Sequence, residues 1–438
     1  MLDAGVGITT EKDSYSAGKI VAKEALENMS VKPKLAILVI DALSRMRHNY
    51  AEVLKGVREE LGKEVTLIGS TVNGVTVNDR YALRSVAIML LGGDISLDST
   101  FNYPKSRLEY ESIAEKVYQS SLSLEPNDQR FMLLFQDGIK FPPEVVAKQQ
   151  ALNGRAAVLF AGLIKRIFKK QFEEFKEKGL GYSSTQEFLE ALYAKGWDKT
   201  VIGNLATNTR NWDSVEFFND EIGDDNIIGA LLSPQGSSKF GFGYGAGAEP
   251  TGIKCVPTKN IGNFILKIDG KPALQGFCDA AGIQKDALRE LKPYDYINSY
   301  IVLGTKETAG DKDIIHLVAT ITNPELENFL MTGFLFDRVP EEFEIFRSDM
   351  KVMHKTAELT VNQALENIDN PRFLLGFDCA LRSFSYGDNL PRIIETIDNA
   401  IGKDIPRMII GSGGEIFGTK DIDYYWNNLT FLTLVGGD

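Results

Sequence analysis

The sequence predicts an α/β protein whose mixed, mostly parallel sheets are built from repeated βαβ units and are divided between two modules. Three observations lead to this fold class. An apolar strand ending near an aspartate, a connection with helical periodicity and a second strand ending in Ile-Gly occur three times. A glycine-rich stretch at residues 236–252 interrupts the pattern. The length of 438 residues also exceeds what one ordinary core holds.

The three strand pairs are LAILVID with VTLIGSTVNG, RFMLLFQDG with KTVIGNLATN, and RFLLGFDCA with RMIIGSGGE. A helix between two such strands favours parallel pairing through a right-handed crossover. Comparison of the three pairs predicts that Asp41 and Asp137 are counterparts of Asp378. At that place an aspartate can simply cap the end of a strand.

The elements around the first pair follow the same logic. GVGITT predicts a short strand, and Thr9, Thr10 and Asp13 can cap the helix that follows it. Residues 50–61 have an apolar helical face that ends at Gly62. The Gly/Asn turn after VTLIGSTVNG then leads to a further strand in SVAIMLLGGD.

The connection in the second unit is much longer than in the other two. Residues 145–197 predict a helical insertion that projects from the core, with an aromatic and aliphatic stripe from Phe160 to Phe175. Its last helix begins at Ser184 or Thr185. A surface for a partner or a second copy is the alternative interpretation, because lysines and arginines make the polar side locally basic.

The stretch GFGYGAGAEPTG contains four glycines at every second position from Gly241 to Gly247. A dinucleotide-binding fingerprint needs a helix after its glycines, whereas Pro250 and Gly252 follow here. Glycines at a period of two instead favour a strand whose bare face lies against another backbone.

The composition limits the partners of this chain. It has 43% hydrophobic and 25% charged residues, as in ordinary globular proteins, and a net charge of −12. That charge repels phosphate backbones and anionic lipids, so neither nucleic acid nor membrane insertion is expected. No run reaches the roughly 18 apolar residues of a membrane-spanning helix, and no signal-peptide layout opens the chain. We expect a cytoplasmic protein.

Cysteines and histidines are scattered. Cys255, Cys278 and Cys379 form no C-x-x-C pair, so neither a zinc site nor a disulfide framework is indicated. The three histidines are His48, His316 and His354, and each is interpreted as an ordinary surface or boundary residue. No metal site is predicted.

The candidate site lies in the third strand pair. Ligands of open α/β sheets bind beyond the carboxyl ends of the strands. Arg382 follows one strand there, while Ser412, Gly413, Gly414 and Glu415 follow its neighbour. A guanidinium pairs with a carboxylate and a glutamate with an ammonium, which is what an α-amino acid needs. Arg382 and Glu415 neutralising each other is the structural alternative.

Short motifs along almost the whole chain resemble the FIST domain family, which pairs N-terminal and C-terminal modules in prokaryotic signalling proteins. GVGITTEKD resembles the opening of that family, LIGSTVNG its Gly/Ser turn, and GAGAEPTG with NFILKIDGKPAL its junction. Cys379 and Arg382 resemble its C-x-x-R, and Gly414 and Glu415 its G-E. Asn428 and Thr430 resemble its closing N-x-T, although Asn427 stands where the family often has histidine.

The resemblance implies a FIST N-like module at 1–235, carrying the helical insertion, and a FIST C-like ligand-sensing module at 236–438. It implies a sensory protein that binds a small ligand, with an amino acid as the leading suggestion. The ligand-binding residues are then Cys379, Arg382, Ser412, Gly413, Gly414, Glu415 and Asn428, with no catalytic residue. Cys379 would only line the site, because no base is in place to activate its thiol. A separate signalling partner such as a histidine kinase would receive the signal.

Two other function classes stay open. Some relatives bind haem and report nitric oxide, and a haem needs an axial ligand that one of the three histidines would supply. An enzyme acting on an amino-acid derivative is the third class, although no acid–base pair is indicated. If the protein is a small-ligand sensor, we expect no cofactor.

Overall fold

The computed structural model describes residues 1–42, 48–138, 183–207, 214–261, 264–284, 301–309, 312–318, 320–322, 330–332, 339–423 and 425–438. Its helices are α1 (Ser14–Glu27), α2 (Tyr50–Leu61), α3 (Ser106–Leu122), α4 (Thr185–Ala194), α5 (Ala273–Ala281), α6 (Met350–Leu365), α7 (Ala380–Tyr386) and α8 (Leu390–Ile401), with a 3₁₀ turn at Gly387–Asn389. None of these helices combines the length and the apolar character needed to cross a bilayer.

The strands before the glycine-rich stretch are β1 (Asp3–Thr9), β2 (Pro33–Asp41), β3 (Thr66–Val72), β4 (Val75–Val77), β5 (Arg80–Ala82), β6 (Val86–Gly92), β7 (Ile95–Pro104), β8 (Phe131–Gln136), β9 (Thr200–Leu205), β10 (Glu216–Phe218), β11 (Glu221–Gly223) and β12 (Asn226–Pro234). The next group is β13 (Lys239–Ala246), β14 (Glu249–Cys255), β15 (Pro257–Ile261), β16 (Phe264–Ile268), β17 (Lys271–Pro272), β18 (Ile301–Ala309), β19 (Lys312–Val318), β20 (Thr320–Thr322), β21 (Leu330–Thr332) and β22 (Phe343–Arg347). The last strands are β23 (Pro371–Cys379), β24 (Arg407–Ser412), β25 (Glu415–Gly418), β26 (Trp426–Asn427) and β27 (Thr430–Gly437).

The α/β class with mixed sheets is confirmed, but the description of the sheets as mostly parallel is wrong. Among the described strands, the parallel pairs are β2 with β3, β8 with β9, and β23 with β24. The other ladders among the described strands are antiparallel, and each parallel pair is flanked on both sides by antiparallel neighbours.

Three six-stranded sheets share one strand order. The first runs β1-β6-β2-β3-β10-β11, the second β7-β12-β8-β9-β25-β26 and the third β13-β27-β23-β24-β4-β5. In each, a parallel pair occupies the centre, two antiparallel strands lie on one side and a hairpin lies on the other. That the three sheets contain repeats of one βαβ unit stays a prediction.

The hairpins are exchanged among the sheets. β4–β5 follows β3 in sequence but pairs with β24, β10–β11 follows β9 but pairs with β3, and β25–β26 follows β24 but pairs with β9. Strands from both sides of residue 236 therefore share the second and third sheets. The division into modules at 1–235 and 236–438 stays a prediction, and these shared sheets join the two parts.

Asparagines at the hairpin tips fix two of these exchanges. Asn78 and Asn219 each open a two-residue turn with φ of 54°, a left-handed conformation that asparagine tolerates. The Asn78 side-chain oxygen accepts a hydrogen bond from Arg407 N at 3.1 Å, and that of Asn219 accepts from Leu67 N at 3.1 Å. Each tip thus caps the first residues of the strand that it joins.

One hydrophobic core joins the three sheets. It extends from Leu2 to Leu434, with Phe135 and Phe377 meeting edge to face at a centroid distance of 6.3 Å. The outer face of the first sheet packs on α1 and α2 through a second cluster. Smaller sheets formed by β14 to β22 pack on α5 around a cluster that includes Phe277 and Phe343.

The predicted helical insertion meets this core at its end. Residues 139–182, with the predicted stripe, lie outside the described residues. α4 begins at Thr185 after Ser184, as predicted, and buries Phe188, Leu189 and Leu192 in the main core. The prediction that the whole segment projects from the core is therefore wrong for α4, because its apolar face lies against the second sheet and α3.

The glycine-rich stretch is a strand with a bare face, as predicted. β13 pairs with β27, and α6 crosses its glycines closely. A Cβ atom at Gly241 would lie 1.8 Å from Ala364 O, and one at Gly243 would lie 1.9 Å from Thr360 O. Only glycine allows the helix to approach the strand this closely.

Candidate functional site

The predicted site residues gather around the carboxyl ends of β23 and β24. Cys379 ends β23 opposite Ser412 at the end of β24, and Glu415 begins β25 after the Gly413–Gly414 turn. Arg382 lies on α7, while Asn428 lies between β26 and β27. Of these residues only Gly413 is partly exposed; the others are buried. The two charged residues, Arg382 and Glu415, have different partners.

Arg382 belongs to a closed set of three side chains. Its Nε donates to Asp378 Oδ1 at 2.8 Å, and its Nη2 donates to the Tyr386 hydroxyl at 2.9 Å. That hydroxyl donates to Asp378 Oδ2 at 2.7 Å. The guanidinium carbon also lies 5.8 Å from the centroid of the Tyr386 ring and 6.0 Å from that of Phe431. Residues four positions before and after Arg382 thus hold its buried cation.

Burial alone would lower the pKa of the Arg382 guanidinium, but Tyr386 and Asp378 raise it above its ordinary value. Burial also raises the pKa of the Tyr386 hydroxyl well above its ordinary value. The arginine therefore stays charged and the tyrosine stays neutral at physiological pH.

One nitrogen of Arg382 is left over. Its Nη1 is buried and has no hydrogen-bond partner among the described residues. Gly247 lies beside it, since a Cβ atom at that position would be 2.4 Å from Nη1 and 2.4 Å from Leu429 O. A buried charged donor without an acceptor is costly, so this nitrogen marks a place where an acceptor can bind.

Glu415 is bound to the start of β27. Its Oε2 accepts hydrogen bonds from Thr430 N at 3.2 Å and from Thr430 Oγ1 at 2.8 Å. Burial raises the pKa of Glu415 to about 8, although the bonds from Thr430 lower it. Among the described residues, the buried ion pair of Arg382 is with Asp378 and not with Glu415. The alternative in which Arg382 and Glu415 neutralise each other is therefore wrong.

The predicted equivalence of the strand-end aspartates is also wrong. Aligned on the glycine of the second strand, Gly411 faces Asp378, whereas Gly69 faces Leu38 and Gly203 faces Leu134. Asp41 and Asp137 come three residues after those leucines. Asp378 therefore has no aspartate counterpart, because the sequence comparison matched strand ends rather than strand register.

A pocket opens beside the Arg382 set. Asp378, Tyr386 and Tyr81 form its polar part, and Ile393, Ile394 and Ile397 of α8 form its apolar wall. Its free volume is about 20 Å³, which holds about one water molecule. An amino acid therefore needs more room than this conformation gives.

Comparison with known proteins assigns the chain to a family. The model of the FIST N domain matches residues 34–162 and 177–271, just over half of the chain. The chain belongs to the FIST family. FIST domains are small-ligand sensory domains of signal transduction. The recognition from sequence motifs is thus confirmed, and the matched ranges continue past residue 236.

One curated relative of this FIST protein is itself uncharacterized. The uncharacterized protein MJ1623 of Methanocaldococcus jannaschii is 28% identical over 280 residues, which are 58% of this chain and 51% of that protein. The match spans about half the length of the relative. It supplies no ligand for the FIST protein.

The cysteine of the C-x-x-R motif is not a reactive thiol. Burial, with Glu415 nearby, raises the pKa of Cys379 well above its ordinary value. A thiol held protonated in a buried place is a poor nucleophile. The role of Cys379 in lining a ligand site stays a prediction. Cys255 and Cys278 are also free and buried.

Two histidines of this FIST protein are buried, His316 fully and His48 with 5% exposed, so their interpretation as surface or boundary residues is wrong. His316 Nδ1 lies 2.7 Å from Asn427 Oδ1, and Nε2 lies 3.3 Å from Glu307 Oε2. The Tyr244 hydroxyl lies 3.0 Å from the same Asn427 oxygen. His48 and His354 contact Ser14 and Thr396. Among the described residues, no cluster of three histidine, cysteine or acidic side chains suits a metal ion.

Sequence reasoning missed three parts of the site. Asp378 and Tyr386 were recognisable, because they stand four residues on either side of Arg382. Gly247 was not, since its contact with Arg382 joins positions more than a hundred residues apart.

Proposed function

We propose that this FIST protein senses an amino acid or a related small metabolite at the carboxyl ends of β23 and β24. Membership in a family of small-ligand sensory domains supports the general role. The observation that carries the specific proposal is the buried Nη1 of Arg382, a charged donor without an acceptor among the described residues.

The chemistry of that nitrogen selects the ligand group. Nε and Nη2 of Arg382 are already used by Asp378 and Tyr386, so Nη1 offers one charge-assisted hydrogen bond to a carboxylate. The bidentate contact expected from the sequence is thereby reduced to a single one. An ammonium group on the ligand would be received by Asp378, which lies at the end of β23 and lines the pocket.

The pocket is lined by Asp378 and Tyr386 but by neither Arg382 nor Gly247, so a ligand that reaches Nη1 can enter only if the elements that cover the pocket move. Its free volume of about 20 Å³ is far below that of an amino acid. α7 and α8 form the cover and are joined at Gly387, whose φ of 48° lies in the left-handed region. A ligand that binds only the opened arrangement shifts the population towards it, which is how a sensor changes state.

The proposal includes a separate signalling partner, such as a histidine kinase, and a cytoplasmic location. A sensory domain acts by passing its conformational state to an output protein. Capture of such a partner that depends on the ligand would test this part.

A thermal-shift screen tests the ligand. Free amino acids are compared with their amides, which lack the carboxylate, and with their N-acetyl derivatives, which lack the ammonium. We expect at least one free amino acid to raise the melting temperature and its amide to have no effect. A panel without any shift would sink the proposal.

Variants then tie the shift to Arg382. Arg382→Lys keeps a cation beside Asp378 but loses the planar fork that places Nη1, so the shift should disappear. Losing one partner of a buried charged contact costs about 2–5 kcal/mol of binding, or roughly 30-fold or more in affinity. Arg392→Lys on the exposed side of α8 is the matched control and should bind as the wild type does. Equal shifts in both variants would place the ligand elsewhere.

A further inference from the structure

Two buried acceptor atoms belong to paired residues where the exchanged hairpin β25–β26 joins the second sheet. Glu415 on β25 and Asn204 on β9 are direct partners in the ladder, so their side chains share one face of the sheet. Both residues are fully buried. Glu415 Oε1 and Asn204 Oδ1 have no hydrogen-bond partner among the described residues.

Three neighbouring polar groups already have other partners. The Asn204 amide nitrogen donates to Ser70 Oγ at 2.9 Å. The Ser412 hydroxyl lies near Glu415, but it donates to Gly414 O at 2.8 Å. Glu415 Oε2 is occupied by Thr430. None of these three groups therefore donates a hydrogen bond to Glu415 Oε1 or to Asn204 Oδ1.

The charged and titratable groups around Glu415 supply no cation. Asp378 and Cys379 approach from β23 and Tyr244 from β13, and all three are acids. His316 lies behind Asn427, the partner of Glu415 on β26, and contacts that residue. Arg382 on α7 is paired with Asp378. An ionised Glu415 would thus be a buried anion without a paired cation, which is costly.

We propose that Glu415 is a protonated, neutral acid in the folded protein and that its proton forms a hydrogen bond to Asn204 Oδ1. This bond connects the hairpin from the end of the chain to a strand of the first half. Removal of the proton leaves a buried carboxylate facing an amide oxygen, so the joint weakens as the pH rises. The raised pKa of Glu415, about 8, agrees with this arrangement.

The sign of the pH effect follows from linkage. The folded protein holds a proton on Glu415 up to about pH 8, whereas the unfolded chain releases it near the ordinary value of 4.5. Stability from this group is therefore complete below about pH 4.5 and is lost as the pH rises towards 8.

Chemical denaturation of the full chain from pH 5 to 9 measures this loss. Glu415→Gln keeps the shape of the side chain and donates to Asn204 at every pH. We expect the ratio of the unfolding constants, wild type over Glu415→Gln, to rise about tenfold per pH unit up to about pH 8 and then to level off. Glu358→Gln, at an exposed glutamate of α6, should give a constant ratio. A constant ratio for Glu415→Gln would overturn the proposal.

Infrared spectroscopy tests the proton without relying on the stability of a variant. The competing arrangement has an ionised Glu415 and a rotated Asn204 amide that donates to it. Wild type at pH 6 should show the carbonyl band of a protonated carboxylic acid, which disappears above about pH 9; its absence at pH 6 would overturn the proposal. Asn204→Leu should shift this band, while Asn399→Leu at an exposed position of α8 should not. An unshifted band in Asn204→Leu would contradict the bond to Asn204.

Discussion

Arg382 is buried at a place where three of its contacts are provided by residues close in sequence. Asp378 and Tyr386 satisfy Nε and Nη2, and the ring of Tyr386 lies against the guanidinium. Such a set is stable only as a whole, because removal of one member leaves the others buried without partners. The set holds Nη1 at a fixed position beside Gly247.

The pair of Arg382 with Asp378 determines how substitutions act. Arg382→Leu should lower the free energy of unfolding by about 3–5 kcal/mol, because Asp378 remains buried without its cation. The double variant Arg382→Leu with Asp378→Leu should recover much of that loss in chemical denaturation. Lys355→Leu, at an exposed pair with Glu249, is the control and should change stability very little.

If the double variant is no more stable than Arg382→Leu, the pair does not carry the stability assigned to it. The same two variants separate folding from binding, since both should lose the response to a ligand carboxylate.

At the scale of elements, the exchanged hairpins decide how the sheets are completed. The short strands β4 and β10 contribute few ladder bonds of their own, so the asparagine at each tip adds two bonds to the strand that it joins. In the second hairpin, Arg58 of α2 adds a bond from Nη2 to Asn219 Oδ1 at 3.1 Å. The tip of β10–β11 is thus held by both a strand and a helix of the first unit.

Substitutions at Asn219 should show this role. Asn219→Gly keeps the left-handed turn but loses the bonds to Leu67 and Arg58, whereas Asn219→Ala also strains the backbone. We expect losses of about 1–2 kcal/mol for glycine and roughly 1 kcal/mol more for alanine in chemical denaturation. Equal stability of wild type and Asn219→Gly would show that the tip contacts contribute nothing.

The sequence predicted the local elements well but not where the hairpins pair. Apolar runs such as LAILVID mark buried strands, and the glycines of β13 mark a bare face, because both depend on neighbouring residues. VTVNDRYA marks a hairpin with an Asn-Asp turn, yet nothing in it specifies pairing with β24, more than three hundred residues later. The partners of Arg382 could be found from their spacing of four residues. The pairing of Glu415 with Asn204 depends on another exchanged hairpin, which joins distant parts of the chain.

For the whole molecule, the exchanges imply that the two halves of the chain hold each other. β25–β26 completes a sheet whose other strands precede residue 236, and β4–β5 completes one whose other strands follow it. The main core also contains residues of both halves. We therefore expect the two parts to behave as one cooperative unit rather than as separable modules.

A protease site inserted after the exposed Gly236 tests this expectation. After complete cleavage, the two fragments should elute together on gel filtration in native buffer and separate only in denaturant. The same insertion left uncut is the control. Separate elution in native buffer would mean that the halves are independent modules.

A structure of the protein with the best ligand of the thermal-shift screen would show whether Arg382 Nη1 binds that ligand. We expect a ligand carboxylate oxygen about 2.7–2.9 Å from Arg382 Nη1, with α7 and α8 moved apart around Gly387. A ligand bound away from the ends of β23 and β24, with Nη1 still lacking an acceptor, would contradict it.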